Sequence, residues 1–205
     1  YYRLGKLQAC PSRRSTLRKK KKKDKDGNII PDRTPKQRKN NIKFTFARYM
    51  FAFIREGFGD LPVWKIAAAQ RGMTDDNLIH STNYKYLDEK GEILDMEGFQ
   101  VSLGPLALPI NLRATRNSTL VTITWDDSRD NPSAAPTDRM MVGIFYANYR
   151  DTFTLEKETG ATRRDGKCEI TLRNDDGEVC IHPFFARADN TAFSEDKTIT
   201  LPDTE

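Results

Sequence analysis

Leu120-Val121-Thr122-Ile123-Thr124-Trp125 decides the fold class, because its largest apolar side chains fall on alternate positions. Val121, Ile123 and Trp125 share one face of an extended chain, while Leu120, Thr122 and Thr124 share the other, which is the period-2 signature of a strand that buries one side. Trp125 is the bulkiest of the inward set and is expected to plug a core. Outward from this strand, short runs with similar patterning recur at residues 106–114, 139–147, 152–155, 167–173, 179–187 and 197–201, separated by clusters of Gly, Asp, Asn and Pro.

About seven short strands punctuated in this way predict an antiparallel β-sandwich over residues 98–205, of immunoglobulin or fibronectin type III-like character. One strand departs from simple alternation. In residues 139–147, Met140, Val142, Ile144 and Tyr146 lie on one face and Met141, Phe145 and Ala147 on the other, so both faces are apolar. Such a strand is covered on both sides. Pro183 cannot donate to a ladder, which predicts an edge or a bulge in its strand. His182 has the parity opposite to Val179 and Ile181 and is assigned to the polar face.

Upstream, Thr34-Pro35-Lys36-Gln37 marks a helix start: an N-cap Thr, Pro at the first helical position, and Gln three residues after the cap to close a capping box. Ile42, Phe46, Tyr49, Met50 and Phe53 then recur at helical spacing, and Phe44, Phe51, Ile54 and Phe58 broaden the stripe. The helix is expected to end near Glu56, before Gly57. A face this wide and aromatic is expected to dock on the β domain or on another subunit, which makes Phe44, Phe51, Met141 and Phe145 the candidate packing or interface positions. Residues 61–79 read as a second, shorter helix with Pro62 near its start, and residues 84–96 as a hairpin around Asp88-Glu89-Lys90-Gly91. The expected layout is mainly β with an N-terminal helical part: a basic arm or hairpin at 1–33, one long amphipathic helix and its connections at 34–97, and the sandwich at 98–205.

Charge is segregated along this layout. The whole chain has 34 Lys and Arg against 29 Asp and Glu, a net charge of +5. Residues 1–48 hold 17 basic and 3 acidic residues, or +14, which leaves 17 basic and 26 acidic residues, or −9, for the remainder. A basic segment on an acidic body suits a polyanion or the acidic face of a neighbouring subunit. The contact candidates are Arg13, Arg14, Arg18, Lys19, Lys20, Lys21, Lys22, Lys23, Lys25, Arg33, Lys36, Arg38 and Lys39. Asp26-Gly27 followed by Ile29-Ile30 signals a hairpin, and a flexible loop is the alternative because like charges along a strand repel. Any nucleic-acid contact is expected to be non-specific and salt-sensitive, because lysines neutralise phosphate without reading bases. No aromatic residue interleaves with the lysine run, so single-strand stacking is not expected.

Catalytic motifs are missing. The chain has 2 histidines, His80 and His182, and 3 cysteines, Cys10, Cys168 and Cys180, none at a metal-ligand or nucleophile spacing. Cys168 shares the inward parity of Ile170 and Leu172, whereas Cys180 opposes Val179 and Ile181. No disulfide is expected between them, which favours a reducing compartment. Nucleotide-binding glycine loops and the acyl-transfer elbow are absent, so no cofactor, metal or enzymatic activity is expected. No run approaches the roughly 18 apolar residues of a membrane span.

The chain resembles an uncharacterised family of Bacteroidetes proteins of similar length. The likeness runs through Thr34-Pro35-Lys36-Gln37 and the Phe-rich helix to Gly57-Phe58. It continues at Val101-Ser102-Leu103-Gly104, Thr122-Ile123-Thr124-Trp125-Asp126-Asp127, Thr137-Asp138-Arg139-Met140-Met141-Val142, Gly160-Ala161-Thr162-Arg163 and the closing strands around His182 and Ser194. The resemblance implies this layout and carries no activity, cofactor or catalytic residue with it. The function expected is that of a structural or assembly protein, such as a phage virion or particle component in the cytoplasm or a virion, with other protein subunits as partners. A surface-exposed adhesion module of β-sandwich type is the alternative.

Overall fold

Leu120–Asp126 is the middle strand of a three-stranded antiparallel sheet and buries Val121, Ile123 and Trp125 on one face. The computed structural model describes residues 25–27, 34–90, 92–126, 131–174 and 177–203. Among these, the helices are α1 (Pro35–Phe58), α2 (Val63–Gln70) and α3 (Asp75–Asn83). The strands are β1 (Ile110–Asn117), β2 (Leu120–Asp126), β3 (Arg139–Tyr146), β4 (Tyr149–Glu156), β5 (Lys167–Thr171), β6 (Val179–Ala186) and β7 (Ile199–Leu201). They form two antiparallel sheets, of order β1-β2-β5 and β4-β3-β6-β7. This is a two-sheet antiparallel β-sandwich of three and four strands, with the helical part N-terminal to it.

Two cores stack on one another. Between the sheets, Val121, Ile123 and Trp125 meet Met140, Val142 and Ile144 of β3 and Ile181 and Phe185 of β6. Trp125 Nε1 donates to the Arg163 carbonyl at 2.7 Å, and its ring meets Phe185 edge-on at 5.7 Å. On the outer face of the second sheet, Met141, Phe145, Phe153 and Phe184 pack under α1, α2 and α3. The domain therefore has three layers, sheet on sheet under helices, and β3 is covered on both faces as its composition predicts.

Several boundaries differ from expectation. Residues 61–79 hold two helices rather than one. Gly72, at φ 63, follows the end of α2, and Thr74 caps α3 by accepting the N–H of Asn77 at 3.3 Å. A left-handed glycine followed by a Thr N-cap stops one helix and starts the next. Helix α1 runs on through Gly57 to Phe58, because Gly57 sits where α1 meets β4 and its lack of a Cβ serves packing there. The strand expected at 106–114 begins only at Ile110, after Pro109, and Leu106 makes an isolated parallel bridge with Ser194. The hairpin expected at 84–96 is reduced to one bridge, Leu87 with Ile93, after a 3-10 turn at Tyr84–Tyr86.

Pro183 sits in β6 beyond the short β7. Its carbonyl accepts from Lys197 N–H at 3.2 Å, so its missing donor faces the side where β7 is no longer paired. The hairpin expected around the lysine run lies outside the described residues, except that Lys25 and Asp26 form an exposed turn leading to Gly27. No helix among the described residues is long and apolar enough to cross a membrane.

Candidate functional site

Helix α1 begins with the expected capping box: Gln37 N–H donates to Thr34 Oγ1 at 3.2 Å and Thr34 N–H donates to Gln37 Oε1 at 2.9 Å. Beyond it the helix carries two apolar stripes. Ala47, Phe51, Ile54 and Phe58 are buried against the sandwich. Ile42, Phe46, Tyr49 and Phe53 form the other stripe and are 51%, 46%, 66% and 47% exposed. At about 100° per residue the two stripes lie roughly 140° apart, so one helix face cannot bury both against a single layer.

This reverses the expected weighting. Of the dominant periodic set, Ile42, Phe46, Tyr49 and Phe53 face solvent while Met50 packs partly against the core, and the residues that broadened it, Phe51, Ile54 and Phe58, make the contact with the sheet. The exposed stripe continues into an open groove of about 650 Å³. Phe46, Tyr49, Met50 and Phe53 line the α1 side, Ile93 and Leu94 stand opposite, and Phe145 and Cys180 contribute from the sheet. Leu94 is 71% exposed and extends the same apolar patch. Lys90, Glu92 and Glu178 supply charged lining.

The basic candidates divide by position. Lys36, Arg38 and Lys39 lie on the exposed first turns of α1, and Lys39 pairs with Glu89 at 3.1 Å. Lys43 follows with its ammonium 4.5 Å from the Tyr84 ring centre. Lys25 is in the exposed turn at 25–27. Arg13, Arg14, Arg18, Lys19, Lys20, Lys21, Lys22, Lys23 and Arg33 lie outside the described residues. Of the packing or interface candidates, Phe51, Met141 and Phe145 are buried in the outer core, and Phe44 is half exposed against His80, with ring centres 4.8 Å apart. Ile42, Phe46, Tyr49, Phe53 and Leu94 complete the surface and were not singled out as interface residues, although four of them carry the strongest helical period in the chain.

Two buried hydrogen-bonded polar clusters hold the scaffold. His182 is fully buried rather than on a polar face, because the outer face of β6 is covered in its turn. Its Nδ1 lies 2.7 Å from Asp196 Oδ2, while Asp196 Oδ1 accepts the N–H groups of Val101 and Ser102 at 2.9 and 2.8 Å. Asp138 meets the guanidinium of buried Arg163 at 3.3 Å, and that guanidinium stacks over Phe185 at 3.9 Å. Both groups tie loops to strands across long sequence separations.

Cys168 and Cys180 are free and belong to different cores, as their opposite parity predicts. Burial pushes the Cys168 thiol up to about 12, with the Glu169 charge adding to it. Burial likewise raises the Cys180 thiol. Neutral thiols are poor nucleophiles and metal ligands. Among the described residues, no three His, Cys, Asp or Glu side chains come together as a metal cluster.

No family model matches this chain, and no curated protein matches it. Among solved structures, a myokine structure is 14% identical over 49% of this chain and 100% of its own, with a TM-score of 0.36. The FN1-FN3 domains of chicken CNTN1 are 9% identical over 50% of this chain and 32% of their own, with a TM-score of 0.36.

Proposed function

We propose that the chain is a non-enzymatic structural or assembly protein, a subunit that binds other protein subunits through the solvent-facing stripe of α1, as a component of a phage virion or a comparable particle. The single observation that carries this is the second apolar face of α1, which the sandwich leaves uncovered. Contiguous apolar surface of this kind is uncommon on monomers and marks interaction sites. The charge segregation agrees with it: the basic segment that leads into α1 would meet the acidic face of a neighbour, or packaged nucleic acid, as the helix docks.

The test is sedimentation of the full chain at low salt, alone and with the products of neighbouring genes, beside a Phe46→Ser/Tyr49→Ser variant. Association of the wild type that disappears in the variant, with thermal unfolding unchanged, is the expected result. A wild type that stays monomeric under every condition overturns the assembly role. Changing Lys19 to Lys23 to Gln separates the two partners of the basic segment. Loss of a nucleic-acid shift that falls by orders of magnitude between about 50 and 200 mM salt identifies a phosphate partner, and loss of protein association alone identifies an acidic protein face.

A further inference from the structure

The exposed stripe of α1 is self-complementary. We infer that its occupant is the α1 of a second copy of this chain, packed antiparallel about a two-fold axis that crosses midway between Phe46 and Tyr49. This rests on the assembly role proposed above and names the partner.

Ile42, Phe46, Tyr49 and Phe53 are spaced 4, 3 and 4 residues apart, the repeat of a helix-pairing seam. Reversing the helix about that axis superimposes the seam on itself: Ile42 faces the second copy's Phe53, and Phe46 faces its Tyr49. The size of the patch suits such a partner. Side chains of this kind, about half exposed, each leave on the order of 100 Å², so with Leu94 they present roughly 500 Å² of apolar surface. A standard interface needs about 800 Å² per partner with a polar rim, which the flanking positions supply.

Charge selects the orientation. From Lys36 to Arg48 the helix carries Lys36, Arg38, Lys39, Lys43 and Arg48 without an acid, while Glu56 stands in its last turn. A parallel pair would set the two basic halves side by side. The antiparallel pair separates them and also opposes the helix dipoles. Arg38 and Glu56 flank the seam on the same side, so the two-fold axis brings Arg38 of each copy to Glu56 of the other, twice. The open groove beside the seam gives the incoming helix a bed in which Ile93 and Leu94 form the far wall.

Sedimentation equilibrium and native mass spectrometry of the full chain test this. A monomer–dimer equilibrium is expected, and Phe46→Ser/Tyr49→Ser should raise its dissociation constant on the order of a hundredfold. Arg38→Glu alone and Glu56→Arg alone should each weaken it roughly tenfold, since symmetry enters each like-charge contact twice. An equimolar mixture of these two variants, or the double reversal in one chain, should recover wild-type affinity. A wild type that is monomeric across the range, or an Arg38→Glu reversal that leaves association unchanged or strengthens it, as relief of the apposed basic halves of a parallel pair would, overturns the inference. A monomeric wild type that still binds a neighbouring gene product through the same stripe overturns the second copy and leaves the assembly role standing.

Discussion

Gly57 in the last turn of α1 lies directly against the ring of Phe153 in β4, so close that a Cβ built on the glycine would overlap the ring. This contact brings the helix within reach of the sheet and lets Phe58 settle beside Phe153, with ring centres 5.3 Å apart. A glycine inside a helix costs up to about 1 kcal/mol relative to alanine, and here close packing offsets that cost.

Gly57→Ala should therefore destabilise the protein, although alanine is the better helix former. Overpacking a fitted contact costs about 1–3 kcal/mol, which outweighs the propensity gain of about 1 kcal/mol. The midpoint of urea unfolding reads the outcome, and Phe153→Leu in the Gly57→Ala background should recover part of the loss. An alanine variant more stable than wild type would refute the close approach.

Trp125→Ala should cost about 3–5 kcal/mol, the range for removing a large aromatic from a core. Trp125→Phe keeps much of the ring and loses the bond from Nε1 to the Arg163 carbonyl, leaving that buried carbonyl short of a donor at a cost of about 1–3 kcal/mol. Thermal unfolding of the two variants separates the packing contribution from the hydrogen bond. A Trp125→Phe variant as stable as wild type would mean that the bond contributes nothing.

Asp196→Ala should destabilise by about 3–5 kcal/mol, because it strips the buried His182 of its carboxylate partner and leaves the N–H groups of Val101 and Ser102 without an acceptor. Asp196→Asn retains an acceptor for those amides and should fall between Ala and wild type. Amide hydrogen exchange at Val101 and Ser102 reports this directly: protection should drop in the alanine variant and persist in the asparagine one.

Burial lowers the His80 pKa from its usual 6.5, so the folded state favours the neutral ring. That ring stacks on Tyr84 at 4.5 Å, with Arg48 and Asp76 the charged groups that line the small cavity beside it. The unfolded chain therefore takes up a proton before the folded chain does. The His80 contribution is full above the unfolded pKa and declines as pH falls below 6.5 toward the folded value. The melting temperature of wild type minus that of His80→Phe, followed from about pH 8 to 5, should decrease on the acid side. A difference that stays constant or grows would contradict the burial of this ring.

Features that depend on neighbours a few residues away are legible in the order of amino acids. The parity of Val121, Ile123 and Trp125, the capping box of Thr34 and Gln37, and the opposed faces of Cys168 and Cys180 follow from a period of two or from one side chain reaching a nearby N–H. The split of α2 from α3 is also local, written in Gly72 and Thr74. Which stripe of α1 is buried depends on packing against a distant segment. Phe46 and Phe51 are equally apolar, and nothing within the helix ranks their faces; the choice falls to the outer face of β3, about 90 residues away in the chain, where Met141 and Phe145 wait for a cover. The parity of His182 gives its face of β6 but not its environment, for the same reason. Parity says which way a side chain points, but whether it meets water or Asp196 depends on a distant segment folding over it, and no local period encodes that.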